Sequence, residues 1–234
     1  MIKIENVVLP SAAQWDAVIR GMRNPMNSWE KSDSYITYVE DCDTAETADY
    51  EFFVGENDLK LMNSLADAGS AHAKYKRMLC VLCDIVAPMY WWKEWDTYLH
   101  TVRNSCSTMH KIQAKKFDLN DFSTEHLEWR EENMTWGQRI PLRNMENTIV
   151  CLNQCREKYL ETKEKMWWWQ MIQLLPSSYN QRSTVMMNYE TLTAIYRWRR
   201  NHKLDEWQAF CDWIETLPYS ELITGKGVRN EDKH

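Results

Sequence analysis

Apolar and polar positions follow two rhythms along this chain, and each change of rhythm marks an element. At the start Ile2, Ile4, Val7 and Val8 read as a strand, after which Ala12, Trp15, Val18, Ile19 and Met22 recur at helical spacing. The segments 34–40, with Tyr35, Ile36, Tyr38 and Val39, and 52–54 read as short strands on either side of an acidic loop over 41–49. Leu59, Met62 and Leu65 share one face of a helix starting at Asn57, and Gly69 is placed to cap it.

Residues 78–86, Met-Leu-Cys-Val-Leu-Cys-Asp-Ile-Val, are apolar on both faces, the pattern of an interior strand. Pro88 suits the first turn of the next helix, on which Trp91, Trp95, Tyr98 and Val102 follow at i, i+4, i+7 and i+11 as a buried stripe. A polar stretch runs to about Trp136. Pro141 then opens a long helix with Leu142, Met145, Ile149, Leu152 and Tyr159 on one face. The next helix carries Trp168, Met171, Ile172 and Leu175 and stops before Pro176. Two more follow, one over 188–199 with Leu192, Ile195 and Tyr196 inward, the other with Leu204, Trp207, Cys211, Ile214 and Leu217. The pattern predicts an α+β protein, rich in helix, with a small sheet. No linker or repeat interrupts it, so a single domain over 1–218 with a polar tail over 219–234 is expected.

Composition narrows the function classes. Six Gly and six Pro in 234 residues are too few turn residues for a barrel or sandwich of many short strands. A net charge of −6 is unsuited to sequence-independent gripping of a nucleic-acid backbone. No apolar run reaches the roughly 20 residues of a membrane span, and Met1-Ile2-Lys3-Ile4-Glu5 lacks the layout of a signal peptide. A cytoplasmic setting is therefore expected, in which the seven Cys act mostly as small buried hydrophobes without disulfides.

Generic catalytic motifs are missing: there is no Gly-rich phosphate loop, no His-Glu-x-x-His and no Gly-x-Ser-x-Gly. Cys80-x-x-Cys83 has metal or redox spacing but lies inside the apolar strand without a second pair, so core packing is expected and no metal site is assigned. Cys106 and His110 supply two ligands, too few for a metal. His72 stands between a helix end and the central strand, where a ligand contact or a structural histidine would both fit. The run Arg197-Trp198-Arg199-Arg200 reads as a phosphate grip or a solvated helix face.

Taken together, Ala71-His72, Ala87-Pro88, Lys93-Glu94-Trp95, Asn104 and Ser107 fall, without a gap, at the spacing of a known pattern. A second block, Leu174-Leu175-Pro176, Arg182, Asn188, Leu192 and Arg199, does the same. On these residues the chain resembles the flavin-dependent thymidylate synthases over most of 1–218. The resemblance implies a small, mostly antiparallel sheet flanked by long helices, a homotetramer, FAD as cofactor, and methylation of deoxyuridine monophosphate (dUMP) to dTMP. It implies that Ser107 hydrogen-bonds the substrate in the catalytic region. His72, Tyr98, Asn188 and Arg199 would face the cofactor, and Glu94, Arg103, Asn104, Ser105 and Arg182 the substrate nucleotide. A helix cap would equally account for Asn188, a surface position for Arg199 and a turn for Ser107.

The signature itself departs from the family. Thr97-Tyr98-Leu99 stands where the family has Arg-His-Arg, and Ser105, Met109 and His110 stand at the family's Glu and Arg-Tyr, so only Ser107 of that motif remains. Arg forks are the usual means of holding phosphate oxygens bidentately. Arg103, Lys93, Arg182 and Arg199 lie near the matched blocks as substitutes for the lost charge. The replacement favours a second reading, a catalytically inactive protein that keeps the fold and holds a pyrimidine deoxynucleotide or a nucleotide-derived signal. A third is an interaction protein using the surface of Trp167, Trp168 and Trp169.

Overall fold

The computed structural model of the chain describes residues 2–39, 49–127 and 140–225. The expected acidic loop, apart from Asp49, and residues 128–136 of the polar stretch lie outside these, as do residues 226–234 of the tail. Contacts within the chain define two compact units. One contains Met1–Ile4, Asp84–Thr97 and Asn104–Thr184; the other contains Glu5–Cys83, Tyr98–Arg103 and Val185–His234.

The opening strand β1 (Lys3–Val8) leads into α1 (Ala12–Arg23) through a capping box. The Ser11 hydroxyl accepts from the Gln14 N–H at 3.3 Å while the Gln14 amide oxygen accepts from the Ser11 N–H at 2.8 Å. Ala12, Trp15, Val18, Ile19 and Met22 are all buried, as the spacing predicts. Strands β2 (Tyr35–Val39) and β3 (Asp49–Phe53) pair antiparallel in their own two-stranded sheet, with Thr37 opposite Glu51. Phe52 stacks on Trp15 with ring centroids 6.1 Å apart. Helix α2 (Glu56–Asp67) begins with two acids, which suit the positive end of the helix dipole. It closes with Ala68 as C-cap and Gly69 at φ +99°, a conformation that glycine adopts without steric penalty.

The larger sheet has the strand order β1-β4-β6-β5, with β4 (Cys80–Pro88), β5 (Val102–Ser105) and β6 (Asn180–Asn188). The Tyr189 N–H donates to the Leu79 carbonyl at 3.1 Å and the Met89 N–H to the Tyr179 carbonyl at 3.0 Å, so β4 and β6 run antiparallel. The central strand is interior, as expected, but begins at Cys80. Met78 ends the 3₁₀ turn Lys74–Arg77 and is 49% exposed. Nor are both faces of β4 buried: Val81, Cys83, Ile85 and Ala87 are covered, Leu82 is exposed, and Asp84 and Val86 are half-buried. Cys80 and Cys83 have opposite parity on β4, so they face opposite sides.

The tryptophan helix is shorter than its periodicity suggests. Pro88 closes β4 and stands as N-cap of α3 (Met89–Trp95), outside its first turn. Trp91, Trp92 and Trp95 are buried, but the stripe ends there. The Asp96 N–H bonds the Trp92 carbonyl, and both the N–H and the hydroxyl of Thr97 bond that of Glu94, which closes the last turn. Tyr98 lies in the turn that follows, and Val102 opens β5.

Helices α4 (Ile140–Thr162) and α5 (Lys165–Leu174) pack together around Ile149, Leu152, Cys155 and Met171, with Ile112, Phe117 and Phe122 completing that core. In the other unit α6 (Tyr189–Arg199) and α7 (Asp205–Glu215) bury Leu192, Ile195, Trp207, Phe210 and Ile214. The expected polar tail must be corrected over 219–225. Tyr219 packs edge-on against Trp15, and Leu222 and Ile223 of α8 (Glu221–Thr224) are buried. No helix among the described residues is long and apolar enough to cross a membrane.

Candidate functional site

Strand parity decides what gathers at the middle of β4 and β6. Their register sets Thr184 opposite Asp84 at a position without ladder hydrogen bonds, where side chains approach most closely. The Thr184 hydroxyl donates to Asp84 Oδ1 at 2.5 Å, and Arg182 Nη2 donates to Asp84 Oδ2 at 2.7 Å. The Arg182 side chain is 45% exposed against 16% for Asp84, so the carboxylate anchors a guanidinium that still reaches solvent. At Cys106 the chain leaving β5 joins the start of β6. Its N–H donates to the Arg182 carbonyl at 2.9 Å and its carbonyl accepts from Gln181 Nε2 at 2.8 Å. Trp92 of α3 donates its indole N–H to the Gln181 carbonyl at 3.0 Å.

Ser105 and Ser107 flank Cys106 and are exposed, as is Asn104. The Ser107 hydroxyl accepts from the His110 N–H at 2.9 Å, the turn bond that its alternative reading requires. A hydroxyl that accepts a main-chain bond keeps its own proton to donate. Glu94 lies half-buried on α3.

The other unit brings Tyr98 and Arg199 together, 101 residues apart in sequence. Arg199 Nε donates to the Tyr98 hydroxyl at 2.7 Å, and its guanidinium carbon lies 5.6 Å from the centroid of the Tyr98 ring and 5.0 Å from that of Trp207. Asn188 is buried and caps α6, its Oδ1 accepting from the Thr191 N–H at 2.9 Å. The Thr191 hydroxyl donates to the Leu99 carbonyl at 3.3 Å, tying that helix start to the segment that replaces Arg-His-Arg. Arg103 is half-buried on β5. His72 is exposed and lines a separate cavity of about 520 Å³ with Met22, Met26, Tyr75 and Met78, into which no other expected site residue extends.

Sequence reasoning passed over Asp84, Thr184 and Trp207. For Asp84 a signal was present, since it is the only charged residue in the apolar run 78–86. Thr184 and Trp207 carried none, because a threonine in a strand and a tryptophan on a helical apolar face are ordinary.

This α+β fold, rich in helix and with a small antiparallel sheet, matches the fold of the flavin-dependent thymidylate synthases. Thymidylate synthase X (ThyX) from Helicobacter pylori, crystallised with FAD and dUMP, matches with a TM-score of 0.60 and 14% identity over 96% of this chain and 97% of that one. The UMP/dUMP methylase PolB from Streptomyces cacaoi, bound with 5-Br dUMP, matches with a TM-score of 0.62 and 12% identity over 96% and 95%. No protein-family model and no curated protein matches the sequence. The resemblance read from the sequence therefore holds at the level of the fold.

Proposed function

We propose that this chain binds a pyrimidine deoxynucleoside monophosphate, dUMP being the first candidate, on the fold of the flavin-dependent thymidylate synthases. The observation that carries the reading is the half-exposed Arg182 guanidinium held by Asp84, whose other oxygen accepts from Thr184, on a strand whose Arg182 carbonyl accepts from the N–H of Cys106. A planar fork oriented by a carboxylate is suited to phosphate oxygens. In this reading Arg182 grips the phosphate, with Asp84 and Thr184 as positioning residues. Ser107 donates its hydroxyl proton to a pyrimidine carbonyl, and Glu94, Asn104 and Ser105 complete the nucleotide contacts. Ser107 is not assigned as a nucleophile, because its hydroxyl accepts from a main-chain N–H and, among the described residues, no general base bonds it.

The residues of this chain fit FAD poorly. Thr97, Tyr98 and Leu99 supply no cation for a pyrophosphate, and Arg199 is engaged by the Tyr98 hydroxyl and by two rings. Asn188 uses its carbonyl oxygen as a helix cap, and His72 lines a cavity of its own. No step is therefore routed through a flavin, and nucleotide binding without methylation is the preferred reading. A homotetramer, implied by the family resemblance, is part of the proposal.

Calorimetry with dUMP tests the binding. The wild type is expected to bind, and Arg182→Ala to weaken the complex about tenfold or more, since a hydrogen bond to a charged group contributes roughly 1.5 to 3 kcal/mol. An Arg182→Ala protein that binds dUMP unchanged would remove the proposed site. The visible spectrum and tritium release from labelled dUMP, with reduced nicotinamide cofactor, FAD and methylene-tetrahydrofolate, test the catalytic alternative. The expected result is neither flavin absorbance nor release. Release above a blank would restore the methylation reading.

A further inference from the structure

The tryptophan run Trp167-Trp168-Trp169 has no part in the proposed site, yet one of its members reaches the turn that carries Ser107. Residues 107–115 form neither helix nor strand, and Ser107, Met109 and His110 are exposed. Such a segment is ordered only as far as contacts with regular elements hold it. Two side chains of the helical pair supply these. Trp168 of α5, itself packed against the α4–α5 core, donates its indole N–H to the Met109 carbonyl at 2.8 Å. Arg156 of α4 donates Nε to the Gln113 carbonyl at 2.9 Å, and Gln113 Nε2 donates to the His110 carbonyl at 3.2 Å. Between these ties Ile112 is buried in the same core.

The bond from Trp168 and the bond to Ser107 share one peptide unit. Trp168 holds the carbonyl of Met109, and the N–H on the other side of that peptide, of His110, donates to Ser107 Oγ at 2.9 Å. A peptide unit is planar and rigid, so fixing its carbonyl fixes the direction of its N–H. Bonds in such a chain also polarise one another. Ser107 Oγ thereby accepts from a fixed direction, and its own proton is left to donate elsewhere. We propose that Trp168 is a positioning residue for the nucleotide site: through the Met109–His110 peptide it sets the direction in which Ser107 offers its hydroxyl proton to the base. The proposal rests on the nucleotide reading, which supplies the ligand of Ser107.

Trp168→Phe keeps an aromatic ring against the core and removes the N–H, and should stay folded by circular dichroism. In calorimetry it is expected to bind dUMP about threefold or more weakly than wild type, as is Ser107→Ala. Because Trp168 acts through Ser107, the double variant should bind no more weakly than Ser107→Ala alone, whereas a merely structural role would make the two losses add. Trp169→Phe, at the neighbouring exposed ring, should bind as wild type does. Hydrogen exchange reads the same device without ligand: the His110 amide should exchange faster in Trp168→Phe, with the amides of β4 and β6 unchanged. Additive losses would overturn the proposal. So would unchanged dUMP binding or unchanged His110 exchange in Trp168→Phe while Arg182→Ala weakens the complex. A wild type that does not bind dUMP would instead remove the nucleotide reading and with it the ligand of Ser107, a failure that the exchange result keeps apart from the hold of Trp168 on the turn.

Discussion

Asp58 illustrates how a single residue can bind several segments at once. Its carboxylate, fully buried, accepts from Arg23 Nε at 2.5 Å on one oxygen and, on the other, from the hydroxyls of Ser32 and Ser34 at 2.7 Å each. Burial pushes its pKa up, but the bonds from Ser34, Ser32 and Arg23 and the charge of Arg23 outweigh that and hold it below the ordinary carboxylate value. Arg23 is itself 3% exposed and also donates to the Ser28 and Lys31 carbonyls. Removing one partner of such a pair leaves the other charged and buried, so Asp58→Ala is expected to lower stability by about 3 to 5 kcal/mol in urea unfolding. The pH dependence follows from the sign of the shift. A carboxyl that titrates lower in the folded state stabilises the fold above the unfolded value, roughly 4, and that stability is lost as the pH falls toward the lower folded value. Urea midpoints of the wild type should therefore drop below about pH 4, and Asp58→Ala should remove part of that drop. Neither partner stood out in the sequence, because Arg23 and Asp58 are 35 positions apart on helices whose apolar stripes attract the attention.

At the scale of elements the apolar rhythm was a good guide to where helices lie and a poorer one to where they stop. All five apolar positions predicted for α1 are buried, whereas the stripe from Trp91 continued on paper through Tyr98 and Val102 while α3 ends at Trp95. Periodicity registers spacing alone; the stop comes from the local bonds of Asp96 and Thr97. Helix α6 begins where a side chain, rather than a pattern, defines the start. Asn188 supplies the N-cap bond, so Asn188→Ala should lower the urea-derived stability by about 1 kcal/mol (range 0.5 to 2), and Asn188→Ser, which keeps a capping oxygen, by clearly less. An equal loss in both variants would show that Asn188 contributes through something other than its cap.

For the whole molecule the exposed apolar side chains bear on self-association. Within one unit Leu82 is 40% exposed, Val102 57% and Leu99 77%. Apolar side chains left on the surface gain by burial against a second copy. Sedimentation at micromolar concentration is expected to give a tetramer for the wild type and smaller species for Leu99→Asp, which sets a charge in place of the most exposed of the three. A wild type that sediments as a monomer would remove the oligomer from the proposal.

Local chemistry was enough to read the elements. The Ser11 cap, the Gly69 helix end, the alternation along 80–88 and the tryptophan face of α3 each depend on residues within a few positions of one another, and so could be read from the chain alone. Spacing between the blocks around Ala87-Pro88 and Leu175-Pro176 was likewise sufficient to point to the fold, because loop lengths and element lengths are properties of the sequence. The partners of Arg182 and Arg199 were not legible in this way. Asp84 meets Arg182 across 98 residues through strand register, and Tyr98 and Trp207 meet Arg199 through the packing of two helices and a turn. Whether a cation is held at a strand face or absorbed by a neighbour is set by what long-range folding brings beside it, and only the tertiary structure decided that.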